Sequence, residues 1–282
     1  MADRRRRRSG ARLVSLASDV GGVYAAQMRA VLLATVPPER IVDLTHELRP
    51  GAIGEAAFVL RPILARFPRG AVHVVVVDPG VGGRRRAIAI ACRDGSVLVG
   101  PDNGVLAPLA RELGGGRAFR LDPRRVGVAS RVGTTFDGRD LFAPAAARLA
   151  EGVPAARLGA PTTYRRLDSQ PPHRAARSAA GTVAHIDRFG NVLTDLPSSW
   201  LPPRTSAVRA RVGRRSVDLP LLRSYEAAGP RRLVALRSSF GTVEIAVRNG
   251  DAARRLGVRL GTPVRLSWMT ADGRRPARRN RK

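Results

Sequence analysis

The sequence predicts a three-layer α/β domain with a mostly parallel sheet, followed by a small all-β barrel or sandwich. Three observations predict it. The N-terminal half alternates short β-branched runs with helical stretches. Its most apolar run, Ala71 to Val77 (AVHVVVV), lacks alternation, as a central strand covered on both faces should. Past residue 178 the period changes to short strands at close spacing without good helices between them.

Leu13 to Ala17 reads as the first strand, ending at Asp19, and Tyr24 to Val36 as a helix stopped by Pro37 and Pro38. Arg40 to Leu44 is a second strand. Gly54 to Arg66 is a helix in which Pro62 predicts a kink or a late boundary. After the strand at Ala71 to Val77 come strands at Ala87 to Ala91 and Val97 to Val99, then a helix at Val105 to Leu113. Between Pro161 and Arg177 the pattern lapses into Pro, Arg and Thr. The expected division is a basic tail (1–12), the α/β domain (13–165), a linker (166–178), the β domain (179–270) and a second basic tail (271–282). Strands are expected in the β domain at Thr182 to Ile186, Val192 to Leu196, Ala207 to Val212, Leu233 to Leu236, Val243 to Val247 and Val264 to Trp268.

Composition narrows the function. The chain has 282 residues, 44% of them hydrophobic, ample for a packed core. No apolar run approaches the roughly 20 residues that cross a bilayer, so no membrane partner is expected. Cys92 is the only cysteine, which excludes an intrachain disulfide and a polythiolate zinc site and fits a reducing, cytoplasmic setting. The net charge of +28 suggests nucleic acid, but it is spread. Residues 1 to 12 carry a net +5 and residues 274 to 282 a net +6, leaving +17 for the body. Lys282 is the only lysine, and aromatic residues make up 4%, so stacking platforms are few. Nucleic acid is expected to bind only non-specifically, through the tails.

Ligands of an open parallel sheet sit outside the carboxyl ends of its strands. Acids recur there: Asp19, Asp43, Asp78, and Asp102 within Gly100-Pro-Asp-Asn-Gly104. Each alone reads first as a turn or cap residue, and it is their recurrence on one sheet edge that points to a site. The densest segment is Val77-Asp-Pro-Gly-Val-Gly-Gly-Arg-Arg-Arg86, read as a tight turn with solvated arginines or as a loop across which an Asp meets an Arg. It is neither a dinucleotide fingerprint nor a phosphate loop, because Arg85 stands where a glycine would be needed and the Gly-Lys-Ser/Thr ending is missing. Asp140 in Thr135-Phe-Asp-Gly-Arg-Asp140 reads as a cap for a helix beginning near Ala143. His185-Ile-Asp-Arg-Phe-Gly-Asn-Val192 reads as a hairpin turn. His46, His73 and His185 lack ligand spacing to one another, so no metal is expected.

Taken together, Ser18-Asp-Val-Gly21, Ile41 to Glu47 (IVDLTHE), Val74 to Gly82 (VVVVDPGVG), Arg86 to Ala89, Gly100 to Gly104, Phe136 to Pro144 (FDGRDLFAP), Ile186 to Val192 (IDRFGNV) and Val243 to Ala246 (VEIA) form an ordered set. On them the chain resembles the S-adenosylmethionine (SAM) hydrolases, or SAM hydroxide adenosyltransferases, which are relatives of fluorinase and chlorinase. The resemblance implies cleavage of SAM to adenosine and methionine without a cofactor, in a homotrimer whose sites lie where subunits meet. Residue by residue it makes Asp78 and Arg85 catalytic. It places Asp137 at a third catalytic position that is a histidine in the family's well-described members. Asp19 matches the residue that holds the ribose hydroxyls, Asp187 and Asn191 match those at the methionine end, and Ser239 matches a further methionine contact. The loop after Asp19 is two residues shorter than the family pattern.

The residue types suit that chemistry. A sulfonium already leaves well, so what is needed is an oxygen nucleophile aligned behind the ribose 5′ carbon. Asp78 can accept a proton from water and Arg85 can orient it. Two other readings stay open: a SAM-binding or nucleic-acid-associated protein with little turnover, and halide-dependent cleavage. Against the latter, halide-transferring relatives carry a long insertion where this chain turns at Cys92 to Gly95, and they lack the Asp and Arg pair.

Overall fold

The computed structural model describes residues 12–128 and 133–268, and the expected tails at 1–11 and 271–282 lie outside them. Arg12, counted with the first tail, belongs to the fold: its guanidinium donates to the Gly70 and Gly95 carbonyls and its amide to Ala150. The chain divides into two compact units, Met1–Asp168 and Ser169–Lys282.

In the first unit the strands are β1 (Val14–Ser18), β2 (Ile41–Thr45), β3 (Val72–Val76), β4 (Ala87–Cys92), β5 (Val97–Pro101), β6 (Gly116–Leu121) and β7 (Gly159–Thr162). They form one sheet in the order β2-β1-β3-β5-β4-β6-β7. The pairs β1–β2, β1–β3 and β3–β5 are parallel, whereas β4 runs against both β5 and β6, and β7 against β6. A parallel neighbour needs a crossover of about a dozen residues. The turn between Cys92 and Val97 is too short for one, so β4 reverses.

Helices α1 (Gly21–Leu33), α2 (Ile53–Leu64), α3 (Leu106–Glu112) and α4 (Ala143–Ala150) cover the sheet. Met28 and Leu32 of α1 and Ala146 and Leu149 of α4 pack with Val72, Val74 and Val76. Leu60 and Leu64 of α2 and Leu106 and Leu109 of α3 pack with Val75 and Val77 on the opposite face. With every β3 residue buried, polar alternation has no place there. Pro62 sits in the last turn of α2, and the helix ends two residues later at Leu64.

The second unit holds β8 (His173–Ala175), β9 (Ser178–Ile186), β10 (Val192–Pro197), β11 (Ala207–Val212), β12 (Arg215–Leu222), β13 (Leu233–Arg237), β14 (Thr242–Val247) and β15 (Pro263–Trp268). Seven of these run β10-β14-β13-β12-β11-β15-β9 and close into a barrel where β9 pairs with β10. Its core includes Val183, Val192, Ala210, Leu219, Ile245, Leu266 and Trp268. Two readings of the sequence are corrected here. The stretch taken as linker contributes β8, an edge strand on β9. The charged, Pro-containing β12 was not foreseen, yet it pairs with β11 over its whole hairpin and with β13 in parallel.

Candidate active site

β3 ends at Val76, the apolar run continues to Val77, and Asp78 begins the loop that returns as β4. The loop folds tightly: Val81 N–H donates to the Asp78 carbonyl and Gly83 N–H to the Gly80 carbonyl. At Gly82 (φ +75°) a Cβ would lie 2.9 Å from the Thr134 carbonyl, so the position requires glycine both for its dihedral and for its close neighbour.

This turn brings Arg85 back onto Asp78. Arg85 Nε donates to Asp78 Oδ1 at 3.0 Å, and Nη2 donates to Asp78 Oδ2. The same Nη2 donates to Asp137 Oδ2 at 2.6 Å across 52 residues of sequence. All three side chains are less than a tenth exposed, and the guanidinium lies 5.6 Å from the centroid of the Phe142 ring. Burial alone works against the Arg85 charge, but the hydrogen bonds and charges of Asp78 and Asp137 outweigh it and lift its pKa. Nη1 has no protein partner among the described residues and keeps two N–H groups for a ligand or water.

The other acids of this edge are spoken for separately. Asp19 takes a backbone bond from Gly51 at 2.8 Å, and its own amide donates to the Val76 carbonyl, which sets it beside the end of β3. Asp43 pairs with Arg29 and with His46, whose other ring nitrogen bonds Ser18. Asp102 pairs with Arg86. Asp140 pairs with Arg139 and makes no cap bond to α4, contrary to the cap expected there. His73 is buried in β3 and held down at about 4, chiefly by that burial, so it stays neutral. The Cys92 thiol is pushed up to about 12 by burial, which disqualifies it as a nucleophile.

In the barrel, the turn from β9 to β10 is organised by Asp187. Its Oδ1 accepts from the amides of Phe189 and Asn191, and its Oδ2 accepts from Asn191 Nδ2, so the hairpin reading of this motif holds. Ser239 is exposed in the turn between β13 and β14. Sequence reasoning gave no role to Glu244, which lies buried on β14 opposite Leu193 and accepts a hydrogen bond from the Tyr225 hydroxyl. Burial raises its carboxyl above the ordinary range; the Tyr225 bond opposes this, and the charge of Asp187 adds to it. A signal was present, since Glu244 is the one charged residue in a fully buried strand (TVEIAV).

The chain has relatives among known proteins. The SAM hydroxide adenosyltransferase N-terminal domain matches residues 14–159 and the corresponding C-terminal domain matches residues 181–265. The chain is 39% identical over 261 residues to the (R)-S-adenosyl-L-methionine hydrolase of Salinispora tropica, covering 90% of this chain and 97% of that protein. It is 39% identical over 249 residues to the enzyme of the same name from Thermus thermophilus, covering 86% and 94%. The crystal structure of an uncharacterized conserved protein from Thermotoga maritima superposes with a TM-score of 0.84 at 33% identity, over 90% of this chain and all of that one. A two-unit α/β and barrel fold, a carboxylate–guanidinium loop at the sheet edge and matched domains over most of its length together make this chain a member of the SAM hydroxide adenosyltransferase family.

Proposed function

We propose that the protein hydrolyses S-adenosyl-L-methionine to adenosine and L-methionine, by in-line attack of water on the ribose 5′ carbon. The buried Asp78–Arg85 pair carries this reading, with Nη1 of the arginine left to hold the water. Asp78 accepts the proton as the carbon–oxygen bond forms, and the carbon–sulfur bond breaks toward the neutral thioether of methionine. Arg85, fixed from two sides, orients the water and favours its hydroxide-like form. Asp137 accepts from Arg85, the part a histidine nitrogen is expected to play elsewhere in the family.

Asp19 serves the ribose hydroxyls. Asp187, Asn191 and Ser239 serve the methionine end, where the neighbouring Glu244 adds a second carboxylate for an ammonium group. A sulfonium leaves without acid or metal assistance, so no cofactor is required. The enzyme acts as a cytoplasmic homotrimer, checked by a light-scattering mass of three chains. Incubation with SAM, followed by chromatography for adenosine, tests the whole reading. Release of adenosine with one methionine is expected; SAM bound but unchanged overturns it.

A further inference from the structure

The Gly100-Pro-Asp-Asn-Gly104 turn takes no part in the chemistry above, yet strand order puts it beneath the catalytic loop. In the order β3-β5-β4, the loop from Asp78 to Arg85 has to pass over the carboxyl end of β5 to reach β4. The end of β5 therefore lies between the two feet of that loop, and it grips both.

At the first foot, Asn103 Nδ2 donates to the carbonyl of Val77, the residue before Asp78, at 2.7 Å. Asn103 Oδ1 accepts from the Val105 amide at 3.2 Å. This second bond fixes the orientation of the amide, because a flipped side chain would lose both. At the second foot, the Asp102 amide donates to the carbonyl of Arg86, the residue after Arg85, at 2.8 Å. Arg86 Nε returns a bond to Asp102 Oδ2 at 2.8 Å, and Asp102 Oδ1 accepts from the Arg165 amide at 2.7 Å. Asp102 is 2% exposed. Gly100 completes the fit, since any Cβ there would run into the Val75 carbonyl and drive β5 away from β3.

We infer that Asp102 and Asn103 are positioning residues that clamp the two ends of the catalytic loop and thereby set the distance between Asp78 and Arg85. This rests on the hydrolase reading above. Holding both feet removes slack from an eight-residue loop containing three glycines, which would otherwise sample many separations of the pair. Neither residue is proposed to touch substrate, so its loss should act on turnover and leave binding alone.

The test replaces Asn103 with Asp, which keeps the shape but turns an acceptor toward the Val77 carbonyl, and Asp102 with Asn as a milder change. For Asn103→Asp the expectation is a kcat lower by about 10- to 100-fold, the scale of a misplacement near 1 Å, with KM within about threefold. Asp102→Asn should show the same pattern at smaller size. A second readout needs no turnover. In ¹H–¹⁵N spectra, with the signal assigned through Arg85→Lys, the Arg85 Nε–H held by Asp78 should be sharp in the wild type. It should broaden by water exchange in both variants. If the wild type does not cleave SAM, the hydrolase reading falls while the Arg85 signal still decides the clamp. If it does cleave, and the variants lose thermal stability but keep kcat and the sharp signal, the clamp is wrong. Should Asn103→Asp fail to fold, the same two readings on Asp102→Asn decide.

Discussion

The two units handle buried and half-buried carboxylates in opposite ways. In the α/β unit the buried acids near the sheet edge meet guanidinium groups: Asp78 and Asp137 share Arg85, and Asp102 holds Arg86. In the barrel, Asp187, Asp195 and Glu244 are held by neutral donors, namely backbone amides, Asn191, Thr182 and Tyr225. Among the described residues none of these three has an arginine partner. Burial consequently raises the pKa of Asp195 and Glu244, whereas the α/β unit strengthens its arginine. Under the proposed function this difference is a division of labour. A paired carboxylate and guanidinium orient a neutral water, and a carboxylate left short of positive charge is suited to receive a cationic group from a ligand.

The most severe way to break this comparison is at Asp78. Asp78→Asn and Arg85→Ala should each lower turnover by at least about 100-fold, the low end for a positioned acid–base group, with the fold retained in circular dichroism. Wild-type turnover in Asp78→Asn would remove the water-activating pair from the account.

Glu244→Gln probes the other side. It should raise KM for SAM by about tenfold or more, the scale of a lost hydrogen bond to a charge, and leave kcat within about threefold. A fall in kcat at constant KM would instead place Glu244 with the reacting atoms.

Asp137→His sharpens the role of the shared arginine partner. A histidine nitrogen can accept the Arg85 bond, so turnover should change by no more than about tenfold, or 1.4 kcal/mol of barrier. Loss of several orders of magnitude would show that the carboxylate charge itself is needed.

A smaller effect concerns stability. Because the folded-state pKa of Glu244 is raised, the native state binds its proton more tightly than the unfolded chain, and stability falls as pH rises through and above the ordinary carboxylate range. Glu244→Gln removes that cost. Its Tm should exceed the wild-type value by a few degrees at pH 8, with the gap closing toward pH 4. A gap that widens on acidification contradicts the sign of the shift.

Least of all should follow from deleting residues 1–10 and 274–282, which adds nothing to either carboxylate set. Cleavage should persist while retention on heparin weakens, since polybasic tails bind polyanions by counterion release. Loss of cleavage would assign the tails to the site.

Much was legible because it is local. The apolar run at Ala71 to Val77 reads as a strand buried on both faces, and an acid at its end followed by Pro-Gly-Val-Gly-Gly reads as a tight turn. Asp78 and Arg85 are seven residues apart, so their meeting needed only that turn. The β9–β10 hairpin at Asp187 was equally local.

Tertiary structure decided the rest. None of the other three edge acids joins Asp78: Asp19 takes the Gly51 amide, Asp102 turns to Arg86, Asp43 to Arg29, and the second carboxylate on Arg85 comes from Asp137, 52 residues away. The reversal of β4, the pairing of polar β12 and the burial of Glu244 depend likewise on partners brought by distant sequence. Hydrophobic period and turn chemistry act over a few residues and so can be read from the chain by itself. Charge pairing and desolvation are set by whatever the fold brings within a few ångströms, which no local pattern specifies.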